Sequence, residues 1–240
     1  MKTILAALLL LIAGAARADS FNDFQNSARP GNLKPFALDL GGILGGASAH
    51  TGRAIGMPGF WAGVVGSVQS RPDRDDMILR NSGAQAFGLP MIEVGVGLPF
   101  KVDVIARGVA LEGLTVLGGG LRYGLYRTDV VDTFLPNISI SALGEKVDHK
   151  YFTAAHGALN AAATWNLPLI KPYFVVGYDV TEVKAGSGVF PGVVGAKATA
   201  RGSRFAAGAD VHPLPFISVR GGYSIRHGIP GFDLGLGVQF

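Results

Sequence analysis

The chain has 240 residues, of which 48% are hydrophobic and 36 are glycine, with a mean hydropathy of +0.34. It contains no cysteine, which excludes disulfide, metal-thiolate and thiol chemistry and a lipoprotein anchor. The formal charge is +4, or +2 once Lys2 and Arg17 are set aside (19 basic against 17 acidic residues), too mild a surplus to point to a nucleic-acid partner.

The first residues read as a secretory leader. Lys2 supplies the positive start, Ile4 to Ala16 is a short apolar run, and Ala16-Arg17-Ala18 is a small-residue site that predicts cleavage after Ala18. The run is shorter than the ~20 apolar residues a membrane-spanning helix needs, and no later stretch is long and charge-free enough to span as a helix. A polar lead from Asp19 to Pro35 follows, carrying Phe21 and Phe24. Phe36, Leu40, Ile43 and Leu44 then fall at i, i+4, i+7 and i+8, which is a helical stripe, with Pro35 in its first turn and Gly45-Gly46 at its end. Phe36, Leu38 and Leu40 also alternate, so a short strand competes with the helix.

From Phe60 onward the period becomes two. Ala62 to Ser70 alternates, with Gly63, Ser67 and Gln69 on the polar side. Ile92, Val94, Val96 and Leu98 oppose Glu93, Gly95 and Gly97, and Val102, Val104 and Ala106 oppose Lys101, Asp103 and Arg107. The pattern returns over Leu117–Leu125, at Ile138 and Ile140, and over Tyr151–Trp165. It returns again over Phe174–Thr181, Arg204–His212 and Ile217–Arg226. The final residues, GFDLGLGVQF, alternate strictly and end on Phe240, which resembles the signal by which Gram-negative outer-membrane proteins are recognised for assembly. About ten strands, each near the length a tilted strand needs to cross a bilayer, predict an all-β, antiparallel transmembrane barrel.

Turn chemistry supports that count. Leu98-Pro99, Leu135-Pro136, Leu167-Pro168 and Leu214-Pro215 mark turns, because proline cannot donate to a ladder. Counted back from the last strand, all of them fall on the periplasmic side. Arg71 to Ala86, the connections near Glu112 and Asp148, Lys184 to Thr199, and His227 to Pro230 fall outside. An even strand number leaves Phe36 to Leu44 as a helix that plugs or caps the periplasmic mouth. Splitting Phe36 to Gly56 into two strands, for twelve in all, is the alternative. The domain plan is therefore a leader (1–18), a lead with a helical plug (19–46) and a barrel (59–240). Trp61, Tyr123, Tyr151, Trp165, Tyr178 and Phe240 lie near inferred strand ends, where aromatic girdles belong.

The stretches LKPFALDLGGILGGASAHTGR, GLPMIEVGVGLPFKVDVIARGV, LTVLGGGLRYGLYR and PLPFISVRGGYSIR…LGLGVQF resemble an uncharacterised family of Gram-negative outer-membrane barrels. That family is distantly similar in style to the long-chain fatty acid transporter type. The resemblance implies a small hatch within Asp19 to Leu44. It implies no ligand-binding residues.

By parity the inward faces collect Glu93, Asp103, Arg107, Arg122, His156, Asp179, Arg204, Asp210, Arg220, Arg226 and Asp233. Neighbouring strands can pair Asp103 with Arg122, Asp210 with Arg220, and Arg226 with Asp233. Buried ions must be paired or they cost several kcal/mol each, so these residues make either a salt-bridged filling of a narrow barrel or the selectivity lining of a solute path. His156, with Ser139 and Ser141 on the preceding strand and Glu145 nearby, raises a membrane-embedded hydrolase as a further possibility, although no recognisable protease, lipase or acyltransferase pattern surrounds any histidine. Pro72-Asp73-Arg74-Asp75-Asp76 lacks the glycine and distal Glu of a calcium loop, and GGGLRYG is no phosphate loop because no helix should follow it. The glycines there make room inside a small barrel or allow curvature.

The sequence thus predicts an exported, non-enzymatic outer-membrane barrel. It would pass or bind small or hydrophobic solutes through a narrow charged lumen, gated by the N-terminal segment or the Lys184 to Thr199 loop. A closed structural or adhesive barrel with interacting external loops is the alternative. Outer-membrane lipid and lipopolysaccharide, and the assembly machinery reading Phe240, are the expected partners. No cofactor, metal or catalytic residue is expected.

Overall fold

The computed structural model describes residues 21, 23–46, 51–111, 113–127 and 135–240. The leader, its cleavage site, His50 and Glu112 lie outside the described residues. Ten antiparallel strands close into one barrel: β1 (Phe60–Gln69), β2 (Phe87–Gly97), β3 (Val102–Leu111), β4 (Leu114–Tyr126), β5 (Asn137–His149), β6 (Phe152–Thr164), β7 (Ile170–Ala185), β8 (Lys197–Leu214), β9 (Ile217–Arg226) and β10 (Ile229–Gln239). Each strand pairs with its sequence neighbours, and β1 closes on β10 from Trp61 opposite Gln239 to Gln69 opposite Gly231.

The alternation that predicts the strands also sorts their faces. Ile92, Val94 and Val96 on β2, Leu117 and Leu121 on β4, Phe174 and Tyr178 on β7, and Phe232 on β10 stand exposed on the outer wall. An apolar outer wall around a polar interior is the surface of a barrel that faces lipid. No helix among the described residues is long and apolar enough to cross a membrane.

The two ends differ. Leu98-Pro99, Leu135-Pro136, Leu167-Pro168 and Leu214-Pro215 all sit at the end that carries Phe240. There the Phe60 amide donates to the Phe240 carbonyl (2.9 Å) and the Phe240 amide to the Phe60 carbonyl (3.0 Å), so the last residue is sewn to the first strand. The opposite, loop end carries residues 70–86, and a β7–β8 hairpin whose strands run 16 and 18 residues.

Three α-helices, α1 (Phe24–Ser27), α2 (Leu33–Gly46) and α3 (Met77–Asn81), and one 3-10 turn (Pro99–Lys101) are the helical elements among the described residues. The helix expected at Phe36 to Leu44 is α2, and the twelve-strand alternative falls with it. Its position corrects the expected cap on the Phe240-end mouth. α2 packs against β1, β2, β6, β7, β8 and β9, which places it in the lumen, and it enters from the loop end. There Phe36 meets Phe24 (ring centroids 5.2 Å) and Phe152 (5.1 Å). Phe21 and Phe87, Ile78 and Leu79 of α3, and Val189 and Val193 of the β7–β8 loop join the same buried cluster. The physical reason is the stripe itself. Leu33, Phe36 and Leu40 need apolar partners, and the loop end supplies them, whereas the Phe240 end is lined with charge.

Residues 51–56 lie toward the Phe240 end. The Gly52 amide donates to Thr164 Oγ1 (2.8 Å), and the Ile55 amide donates to the Asp103 carboxylate (3.0 Å), before β1 begins. One girdle assignment is also corrected. Trp61 points into the lumen and is buried beneath the Arg220 guanidinium, 4.5 Å from its ring. Phe60, one residue earlier, takes the outward place and stacks on Phe240. Tyr123, Tyr178 and Phe240 are exposed on the outer wall, although Tyr178 stands at the middle of β7 and not at its end.

Candidate functional site: the clamp between helix and barrel

All eleven predicted lumen residues point inward, and every one is less than 9% exposed. In this conformation they are buried among one another and beside α2, within the barrel.

The three pairs expected from strand order are formed. Asp103 lies opposite Arg122 in the β3–β4 register and accepts from its Nε at 2.8 Å. Asp210 lies opposite Arg220, with Nη2 at 3.8 Å, and also accepts from Ser218 Oγ at 2.6 Å. Arg226 Nη2 reaches Asp233 at 2.5 Å, and that carboxylate accepts from Ser67 Oγ as well. Arg226 further donates to the Val68 and Phe232 carbonyls, both at 3.0 Å. Glu93 is hydrogen-bonded by Trp61 and faces Arg107, Arg122 and Arg220.

Other pairs skip a strand. Arg107 on β3 pairs with Glu145 on β5, its Nε 2.6 Å from Oε1, and its Nη2 donates to the same oxygen. The residue between them in the ladder is Gly118 of β4. A Cβ there would collide with Glu145, so only glycine lets the two side chains meet over the strand. Gly177 of β7 plays the same part between Asn160 and Arg204, where Arg204 Nη2 donates to Asn160 Oδ1 at 2.7 Å. Arg204 also pairs with Asp179 (3.1 Å). Sequence reading gave the room-making role to Gly118 and its neighbours but not to Gly177, and it did not see the pairs that either permits.

The polar ring grips α2. Arg107 Nη2 donates to the Leu44 carbonyl (2.8 Å), one of the last-turn carbonyls that have no partner within the helix and carry its negative dipole end. His227 Nδ1 lies 2.9 Å from the Leu38 carbonyl, which can only accept, so that nitrogen carries a proton; His227 Nε2 lies 3.3 Å from Asp179 Oδ2. The helix surface is pared down to fit. A Cβ on Gly45 would stand 2.5 Å from Asp179 Oδ1, one on Gly41 would strike Thr181, and one on Gly46 would strike Ser67 and Arg226. The repeated Gly-Gly of LGGILGG ends the helix and also sets its distance from the ring.

A second clasp sits at the loop end. Asp39 of α2 accepts from Gln69 Nε2 (2.6 Å) and from the Asp73 amide (2.8 Å). Asp76 caps α3, its Oδ1 accepting from the Ile78 (2.9 Å) and Leu79 (3.1 Å) amides. The two buried carboxyls are neighbours, and the charge of Asp39 disfavours ionisation of Asp76. Burial, first, raises Asp76 to about 8, with the Asp39 charge adding to it; burial likewise raises Asp39 to about 6.

His156 hydrogen-bonds neither of the two expected serines. Its Nδ1 lies 2.9 Å from Thr181 Oγ1 and its Nε2 3.7 Å from Glu145 Oε2. Ser139 Oγ donates to the Thr51 carbonyl, and Ser141 Oγ accepts from Asn160. Below the end of α2 a polar cavity of about 40 Å³ remains, lined by Glu93, Arg122, Lys171, Asp210, His212 and Arg220 among others, room for a few water molecules. Asp39, Asp76, Glu145 and His227 are the working residues that inward-face reading omitted, and Gln69 was read only as facing the polar side. Asp39 and Asp76 lie outside the strands, and Glu145 and His227 had been placed only as neighbours of other features.

No protein-family model matches the sequence, and no curated protein matches it. Among solved structures, the N-terminal β-barrel domain of Pseudomonas aeruginosa OprF is 15% identical, over 58% of this chain and 96% of that one, with a TM-score of 0.35. Neisserial surface protein A is 12% identical over 75% and 94%, TM-score 0.32. Ail of Yersinia pestis, solved with a heparin analogue, is 14% identical over 76% and 97%, TM-score 0.30. Likenesses at this level assign no function to the chain.

Proposed function

We propose that the protein is a bacterial outer-membrane barrel, its Phe240 end toward the periplasm, that is closed at rest by α2 and passes or binds small or hydrophobic solutes when that helix moves. The observation that carries this reading is the helix inside the barrel. It is held by a ring of discrete polar contacts from Arg107, His227 and Gln69, and it has no covalent link to the wall at its own level. Side-chain hydrogen bonds of this kind are individually modest and exchange readily with water, so they suit a gate that must release. The motif resemblance to the long-chain fatty acid transporter type belongs to the same proposal and supplies the hydrophobic class of solute.

The loops at the other end weigh against a purely adhesive barrel. Ile78, Leu79, Val189 and Val193 are turned inward onto α1 and α2, so these loops form part of the seal.

Single-channel conductance in a planar bilayer tests the gate. The mature chain should be silent or show rare, brief openings. A chain lacking Asp19 to Leu44, shown by a heat-dependent gel shift to be folded, should give discrete steps. Steady steps from the intact chain, or silence from the folded deletion, would overturn the reading.

A further inference from the structure

At the Phe240-end mouth a second hollow, of about 250 Å³, opens beside the β2–β3 turn and the end of β4. Among the described residues its walls include Arg53, Lys101 and Arg127, and no carboxylate. Among the described residues none of these three cations has an ion-pair or hydrogen-bonding partner for its side chain. Every buried arginine of the lumen, by contrast, faces a carboxylate. Three cations gathered in one concavity focus a positive potential there and attract an anion. Their placement is also backed by the fold. Phe100 and Lys101 both hold left-handed backbone, each with φ of 62°, a conformation uncommon for residues other than glycine. That turn sets Lys101 among the lining residues of the hollow and leaves the Phe100 ring 89% exposed beside it.

We propose that Arg53, Lys101 and Arg127 form a binding site for a phosphate group, and that its source is the headgroup of an anionic phospholipid in the periplasmic leaflet. Guanidinium forks match phosphate oxygens, and an ammonium adds a point charge. Leu98 and Phe100 stand exposed at the same rim, where acyl chains would lie. An inorganic phosphate ion would use the three cations and leave those two side chains unused, which favours the lipid. Arg53 also lines the inner cavity, together with Glu93, Arg122, Lys171, Asp210 and Arg220. The phosphate site therefore shares a wall with the lumen below the plug. Burial depresses Arg53, and the nearby Arg127 charge depresses it further, so a bound anion would favour its charged form.

The test is native mass spectrometry of the folded mature chain, released from micelles doped with equal phosphatidylglycerol and phosphatidylcholine. A parallel arm titrates inorganic phosphate without lipid. The expected result is enrichment of phosphatidylglycerol on the protein, falling about fivefold for each cation removed in Arg53→Ala, Lys101→Ala and Arg127→Ala. All three variants should keep the wild-type heat-dependent gel shift, because none of these side chains holds the barrel together. Phosphate binding that needs the same three residues, without lipid enrichment, would overturn the lipid source while keeping the phosphate site. Equal uptake of both lipids together with no phosphate binding, or binding that survives removal of all three cations, would overturn the site.

Discussion

Arg107 Nη2 bonds the Leu44 carbonyl at 2.8 Å and Glu145 on the far side of β4, so one guanidinium ties the end of the plug to the barrel wall. Removing it breaks two attachments at once. Arg107→Ala leaves Glu145 buried with its main counter-charge gone, a change that costs about 3 kcal/mol or more in comparable settings. Urea-induced unfolding followed by loss of the gel shift should show that destabilisation, and the folded fraction should conduct. Arg107→Ala together with Glu145→Ala should recover part of the stability and still conduct, because the Leu44 carbonyl remains without its donor.

Gly45 tests the plug from the opposite side. The three nearest atoms to a Cβ placed there all belong to the Asp179 carboxyl, at 2.5 to 2.8 Å. Asp179 is held by Arg204 and His227 and has little freedom to retreat. Gly45→Ala should therefore loosen the helix by about 1–3 kcal/mol, the usual range for overpacking, and raise the frequency of channel openings. Gly31→Ala is the matched control. Nothing lies within 4 Å of its Cβ, and it should behave as wild type.

The carboxyl pair at the loop end makes docking of α3 depend on pH. Asp76 titrates near 8 when docked and Asp39 near 6, against an ordinary 3.8 for each when free. The docked state thus holds a proton that the undocked state gives up across that window. Stability of the clasp is fully present below about pH 4 and is lost as pH rises through 6 and then 8. Trypsin cleavage at Arg80, normalised to cleavage at Lys150, should rise between pH 7 and pH 9. Asp76→Asn should flatten that rise. An amide keeps the acceptor for the Ile78 and Leu79 amides and donates permanently to Asp39. An unchanged pH profile in this variant would show that the pair does not govern docking.

How much of this was legible in the sequence depends on which physical pattern recorded it. A strand between lipid and a polar interior must alternate, so Glu93 and Ile92, or Arg122 and Leu121, declared their faces. Register between sequence neighbours then made Asp103–Arg122 and Asp210–Arg220 readable as pairs. Contacts across an intervening strand left a fainter mark, since Gly118 shows only that something needs room. The stripe of α2 reveals which side of the helix is apolar but not which mouth it enters. That choice is made by Phe24, Phe87 and Phe152, which come together only once the barrel closes. Trp61 looked like a girdle residue because it lies at a strand end, yet its parity matches Gly63 and Ser67, and parity decides. The Asp39–Asp76 clasp joins a helix to a loop and follows no periodicity at all.

The aromatic seal offers the last test. Phe152 is fully buried and touches the rings of Phe21, Phe24, Phe36 and His149, at centroid distances between 4.8 and 5.8 Å. It is the barrel residue on which the N-terminal phenylalanines converge. Phe152→Ala opens a void in this cluster and should cost about 3–5 kcal/mol. It should also admit water past the loop end, seen as faster hydrogen exchange over Leu33 to Leu40. Phe174→Ala deletes the same ring from the outer wall, where it is exposed, and should leave exchange in α2 unaltered. Equal exchange in the two variants would mean that the plug is held by its polar ring alone and that the aromatic cluster contributes nothing to closure.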